Sequence, residues 1–196
     1  MSDVCRQAKE TLRQRVLAER DRLSPKERAT YSAAILERFL ALPEVTAATT
    51  VMTFVTFRSE VDTLALIDRL LAAGKTVAVP KVLAPREMAC FRLRDRQREL
   101  VAGAWDIPEP CADLECVDPQ TIDLVVVPGS VFATDCSRMG YGGGFYDTYL
   151  CGVRPQTPLV GLAFELQIVP ELPCEAHDLP VDAIVTEDRV IRPTSA

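Results

Sequence analysis

Asp123-Leu124-Val125-Val126-Val127-Pro128-Gly129 decides the fold. An apolar run without alternation marks a strand buried on both faces, as the middle of a parallel sheet requires. Pro128-Gly129 ends it. Shortly beyond stands Arg138-Met139-Gly140-Tyr141-Gly142-Gly143-Gly144-Phe145-Tyr146-Asp147, which holds four of the nine glycines. Glycine lets backbone amides turn toward a ligand and lets the ligand come close, and open α/β sheets bind ligands beyond the carboxyl ends of their strands. Arg138 offers a planar fork of donors for phosphate oxygens, and Asp147 a hard carboxylate suited to magnesium. The segment reads as a nucleotide-phosphate site.

Working outward, Thr49 to Phe57 reads as a buried strand and Asp62 as the cap of a helix carrying Leu64, Ile67, Leu70 and Leu71. Gly74 closes that helix, Thr76-Val77-Ala78-Val79 follows as a strand, and Met88 to Leu93 is a candidate third. On the carboxyl side Phe145 to Leu150 reads as a helix, and Leu159 to Phe164 and Ala183 to Thr186 as strands. The first forty residues are rich in helix formers, with Leu12, Val16 and Leu23 on one apolar face. Ser24-Pro25-Lys26-Glu27 is a capping box that starts a second helix, ending before Pro43. Val101 to Pro119 reads as loop, and holds the single tryptophan, Trp105. This β-α-β order predicts one α/β domain over 1–196, with three layers and a mainly parallel central sheet flanked by helices.

Composition narrows the ligand. At 196 residues, 48% hydrophobic and 26% charged, the chain fits one globular domain, and its formal charge of -6 argues against nucleic acid as a partner. Seven cysteines without a CxxC pair, and one histidine, His177, disfavour zinc and disulfide frameworks. No segment approaches the roughly 18 uncharged residues of a membrane span, and the first residues carry no apolar leader. The expectation is a reduced, cytoplasmic monomer acting on small molecules without a membrane partner. The glycine run fits neither Walker A, since no Lys-Ser or Lys-Thr follows it, nor the dinucleotide G-x-G-x-x-G pattern. A bare triple glycine serves equally as a turn; its flanks favour function.

Val127-Pro128-Gly129-Ser130-Val131-Phe132, followed by the run from Arg138 to Asp147, resembles the signature of the 5-formyltetrahydrofolate cyclo-ligases. The likeness spans nearly the whole chain. It includes Lys9-Glu10-Thr11-Leu12-Arg13, Ser59-Glu60-Val61-Asp62-Thr63, Trp105-Asp106-Ile107-Pro108-Glu109-Pro110 and Val181-Asp182-Ala183-Ile184-Val185 in family order. The resemblance implies ATP- and magnesium-dependent closure of 5-formyltetrahydrofolate, or its polyglutamates, to the 5,10-methenyl form through a phosphorylated formyl group. By position it implies that Lys9, Arg13, Arg138, Met139, Gly140, Tyr141, Gly142, Gly143, Gly144, Phe145 and Tyr146 bind ATP. It gives Arg138, Tyr146 and Asp147 catalytic roles and makes Asp147 and Asp182 metal ligands.

For the folate it implies Val55, Glu60, Trp105 and Tyr141 through Phe145, with Phe57 a further apolar wall. Each has a plain alternative: a solvated basic face for Lys9 and Arg13, a helix-start acid for Asp147, a turn residue for Asp182, a loop acid for Glu60, core packing for Trp105. The chain departs from the family pattern at Cys136, commonly a turn glycine, at Phe145, commonly tyrosine, and at Gly143, lysine in some members. Two other readings suit the loop: a sugar-phosphate isomerase on a similar scaffold, and a non-catalytic folate or nucleotide binder.

Overall fold

The computed structural model describes residues 3–103, 107–173 and 179–193, the side chains of 3–5 excepted. Helices α1 (Asp3–Arg20), α2 (Pro25–Leu40) and α3 (Pro43–Ala47) precede strand β1 (Thr50–Met52). Next come α4 (Thr63–Ala72), β2 (Thr76–Ala84), β3 (Glu87–Leu93), α5 (Arg96–Glu99), β4 (Leu100–Ala102), β5 (Pro108–Pro110) and β6 (Cys116–Val117). The chain continues through β7 (Leu124–Val127), β8 (Val131–Ala133), β9 (Arg138–Met139), α6 (Phe145–Leu150), β10 (Leu159–Leu162), β11 (Ile168–Val169), β12 (Ala183–Val185) and β13 (Val190–Ile191). Local chemistry sets several boundaries. Ser24 and Glu27 form the capping box of α2, Asp62 accepts from Leu64 N–H to cap α4, and Gly74, at φ 74, ends the turn beyond it.

Eight strands build the main sheet in the order β13-β12-β10-β7-β1-β2-β3-β6. The four central pairings, from β12 to β2, are parallel, and antiparallel strands finish both edges. β7 lies inside the parallel part and is fully buried. Its side chains alternate between two cores. Leu124 and Val126 face Ile35, Phe39, Leu66 and Leu70 of α2 and α4, whereas Val125 and Val127 face Phe132, Tyr149 and Leu150. A strand apolar at every position is the consequence of having helices on both sides. The three layers are therefore helices α2–α4, the sheet, and the layer that holds α6.

A small sheet, β11-β8-β9, stands beyond the carboxyl end of β7. Helix α1 packs on it through Leu12 and Val16 against Val131 and Met139. That seating carries the basic face of α1 to the glycine loop.

Three expectations are corrected. The strand expected from Thr49 to Phe57 pairs only over Thr50–Met52. Its apolar continuation, Phe54 and Val55, is buried without strand pairing and held by Thr63 Oγ1 donating to Phe54 O at 2.7 Å. β3 runs antiparallel to β2, because the turn around Ala84–Glu87 is too short for a crossover. Part of 101–119, expected as loop, pairs instead: β4 with β5, and β6 on the edge of the main sheet. Trp105 and His177 lie outside the described residues.

Candidate active site

The site starts where β7 stops. Gln167, buried, donates through Nε2 to Gly129 O at 3.1 Å and Ser130 O at 3.0 Å, and its Oε1 accepts from Phe164 N–H at 3.0 Å. Ser130 in turn donates its N–H to Met139 O at 2.8 Å, and its hydroxyl faces Met139 O at 2.9 Å and Gly140 O at 3.1 Å. These bonds pin the chain before and after the β8–β9 hairpin. Arg138 donates through Nη1 to Pro128 O at 3.2 Å and through Nη2 to the Asp147 carboxylate. Its side chain is 4% exposed and that of Asp147 32%. The cation is thus held below an acid that solvent can reach.

Between them the chain turns sharply. Gly142 and Gly144 have φ of 92° and 69°, the left-handed region that favours glycine, and Gly144 is the N-cap of α6. Tyr141, Gly142 and Gly143 are exposed. A Cβ at 143 would lie 2.8 Å from the Phe145 ring, so glycine there and the ring at 145 accommodate each other. From α1, Arg13 donates through Nε to Gly140 O at 3.1 Å and pairs with Glu10. Lys9 lies one turn earlier on the same helix.

Glu60 reaches the other side of this loop. Tyr141 OH donates to Glu60 Oε1 at 2.6 Å, and Phe57 N–H donates to Glu60 Oε2 at 2.9 Å. Burial pushes the Glu60 carboxyl above the usual carboxylate range, against the opposing pull of Tyr141, Arg20 and the Phe57 amide. Val55 is buried beside this segment and Phe57 half-buried, its ring 4.7 Å from the Arg58 guanidinium carbon. Tyr146 packs between the two large cores, and burial holds its hydroxyl well above the usual tyrosine range. The Tyr146 hydroxyl and Arg138 Nε are buried without a hydrogen-bond partner. Unsatisfied buried donors are uncommon, and two in one site are an open capacity for a ligand.

Arg13, Arg138, Asp147, Tyr141, Glu60 and the glycines are thus assembled at the carboxyl edge. Met139 contributes backbone, its side chain being core. Asp182 does not join them. It precedes β12 at the amino edge, and its carboxylate accepts from Leu159 N–H at 2.7 Å. Trp105, expected on the folate side, lies outside the described residues.

Three participants escaped the reading of the sequence: Ser130, Gln167 and Arg20, which donates to Tyr141 OH at 2.8 Å. Ser130 lay inside the signature quoted above without a role of its own, and Arg20 had left a signal: it continues the apolar stripe of Leu12 and Val16 on α1, where a cation is out of place.

Residues 5–187 match the model of the 5-formyltetrahydrofolate cyclo-ligase family. The chain is similar to the 5-formyltetrahydrofolate cyclo-ligase of Escherichia coli strain K12, with 36% identity over 172 residues, covering 86% of this chain and 94% of that one. It is 31% identical to the mouse (Mus musculus) 5-formyltetrahydrofolate cyclo-ligase, covering 90% of each. Among solved structures it resembles the Aquifex aeolicus 5,10-methenyltetrahydrofolate synthetase, with a TM-score of 0.84 and 34% identity, over 96% of this chain and 94% of that one.

Proposed function

Since the chain belongs to the 5-formyltetrahydrofolate cyclo-ligase family, we propose that it closes 5-formyltetrahydrofolate to 5,10-methenyltetrahydrofolate with ATP and magnesium, releasing ADP and phosphate. A formyl oxygen is a poor leaving group. Transfer of the γ-phosphoryl group to that oxygen makes it a good one. The neighbouring arylamine nitrogen then attacks the formyl carbon and gives up its proton, and the oxygen departs with the phosphate. Such a transfer is accelerated by positioning and charge stabilisation.

The chain's own residues supply both. Arg138 and Arg13 face the phosphates, with Lys9 on the same helix, and the amides of Gly142 to Gly144 line the loop under them. Glu60 accepts from the N–H groups of the folate ring, with Val55, Phe57 and Phe145 as apolar walls. Magnesium fits the chemistry of Asp147, a hard carboxylate that is partly exposed at the glycine loop. Phosphate oxygens and water would complete the shell, and the ion would neutralise the charge that develops on the phosphates. Asp182, spent on the Leu159 amide, is left out of that role.

The observation that carries this reading is the convergence of Arg13, the Arg138–Asp147 pair and Glu60 on one glycine loop. Purified protein mixed with ATP, magnesium and 5-formyltetrahydrofolate should generate the methenyl chromophore, and only with nucleotide present. Product formed without ATP, or none under any nucleotide and divalent ion, would reject the assignment.

A further inference from the structure

Arg20 ends α1 with its side chain buried to 2% exposure, although it is an arginine on an apolar stripe. A buried guanidinium is costly unless its donors and charge are matched. Its matching is specific. Nε donates to Ser59 Oγ at 3.0 Å, and Ser59 Oγ donates onward to the Asp21 carboxylate. Nη1 donates to Tyr141 OH at 2.8 Å, with the guanidinium carbon 5.8 Å from the centre of that ring. Tyr141 OH then donates to Glu60 Oε1 at 2.6 Å.

The chemistry of arginine gives this chain of bonds a direction. A guanidinium has donors and no acceptor, so the Tyr141 oxygen must accept from Arg20 and its proton must go to Glu60. The Phe57 amide, also only a donor, occupies the other oxygen of Glu60. Both oxygens are thereby held as acceptors, each with a lone pair left for an N–H of a bound molecule. The positive charge of Arg20 pulls the Glu60 carboxyl toward its charged form, against the burial that raises it overall. Tyr141 belongs to the glycine loop and Ser59 to the Glu60 segment, so one side chain from α1 sets both.

We propose that Arg20 is the positioning residue for folate recognition: through Tyr141 it orients Glu60 as a double acceptor for the substrate's ring N–H groups. This rests on the cyclo-ligase reading. The competing role is a plain anchor for α1, which would lower stability without discriminating between substrates.

The test measures direct binding of 5-formyltetrahydrofolate, together with kcat and both KM values, for the wild type, Arg20→Met, Arg20→Lys and Tyr141→Phe. Loss of one buried charge-assisted bond predicts that Arg20→Met and Tyr141→Phe weaken folate binding and raise its KM by about tenfold or more. In Arg20→Met the KM for ATP and kcat stay within about threefold, because the bonds of Arg20 do not reach the phosphates. Arg20→Lys, which keeps the charge and a donor, should recover part of the loss. The double variant Arg20→Met/Tyr141→Phe should be little worse than either single one, as members of one chain of bonds are non-additive. Should Arg20→Met not fold, Arg20→Lys and Tyr141→Phe decide the matter. Unchanged folate affinity in folded Tyr141→Phe, or equal rises in both KM values in a folded Arg20 variant, overturns the role of Arg20. A wild type that does not bind the folate overturns the cyclo-ligase reading beneath it instead.

Discussion

Arg138 and Asp147 are ion-paired, with the cation almost wholly buried and the acid partly open. Phosphate and magnesium would each claim one partner. Removing either member should therefore cost transition-state stabilisation, not folding alone: Arg138→Ala and Asp147→Asn are expected to lower kcat/KM by about a hundredfold or more. Steady-state assays across magnesium concentrations check this, and Asp147→Asn should also need more magnesium for half-maximal rate. Tyr146 gives an opposite signature. Its buried hydroxyl has no partner, so Tyr146→Phe should stabilise the ligand-free protein by about 1 kcal/mol, read as a rise in melting temperature. The same change should slow turnover. A variant both less stable and fully active would reject its place in the site. Cys136 explains one departure from the family pattern. It sits at φ 69, the left-handed backbone that makes glycine the common choice.

At the scale of elements, α1 is the part whose seating matters most, since it brings Arg13 and Arg20 to a loop more than a hundred residues away in sequence. It is held by Val16, 2% exposed, and Leu12 against Val131 and Met139. Val16→Ala should cost about 1–2 kcal/mol of stability through the cavity it leaves. Because Arg13 rides on that helix, the KM for ATP should rise with it while α2 and α4 stay packed. Denaturant unfolding and ATP kinetics check the pair of effects. The pattern of α2 was fully legible beforehand, because a capping box and a proline act within one turn of helix. The end of β1 was not. Phe54 and Val55 are as apolar and as buried as strand residues, and only the pairing pattern shows that the strand has ended at Met52.

For the whole molecule, two buried cysteines contribute to the alkaline limit. Burial pushes the Cys90 thiol up to about 12, and burial with Asp135 and Asp182 nearby pushes Cys136 up to about 11, from an ordinary value of 9.0. A thiol whose value is raised by folding stabilises the fold fully below the unfolded value. That stability is lost as the pH rises from about 9 through the folded values, because the unfolded chain gives up its proton first. Thermal melts should therefore fall between pH 9 and about 12. Alkylation at pH 7.5 should mark exposed Cys116 and Cys151 while sparing Cys90 and Cys136 until the protein unfolds. Rapid modification of Cys136 in the native state would contradict its burial.

The sequence by itself determined what depends on near neighbours and on period. A run apolar at every position dictated that β7 lies between two helix layers, and Gly142 and Gly144 marked where the backbone must turn left-handed. Arg138 and Asp147 stand nine positions apart, close enough for a single loop to pair them. The tertiary structure alone decided which distant side chains meet. Arg20 reaches Tyr141 and Ser59, Gln167 braces Gly129 and Ser130, and Asp182 is held at the opposite edge of the sheet. Hydrogen bonds act over about 3 Å, and no spacing along the chain reveals which strands topology will set side by side.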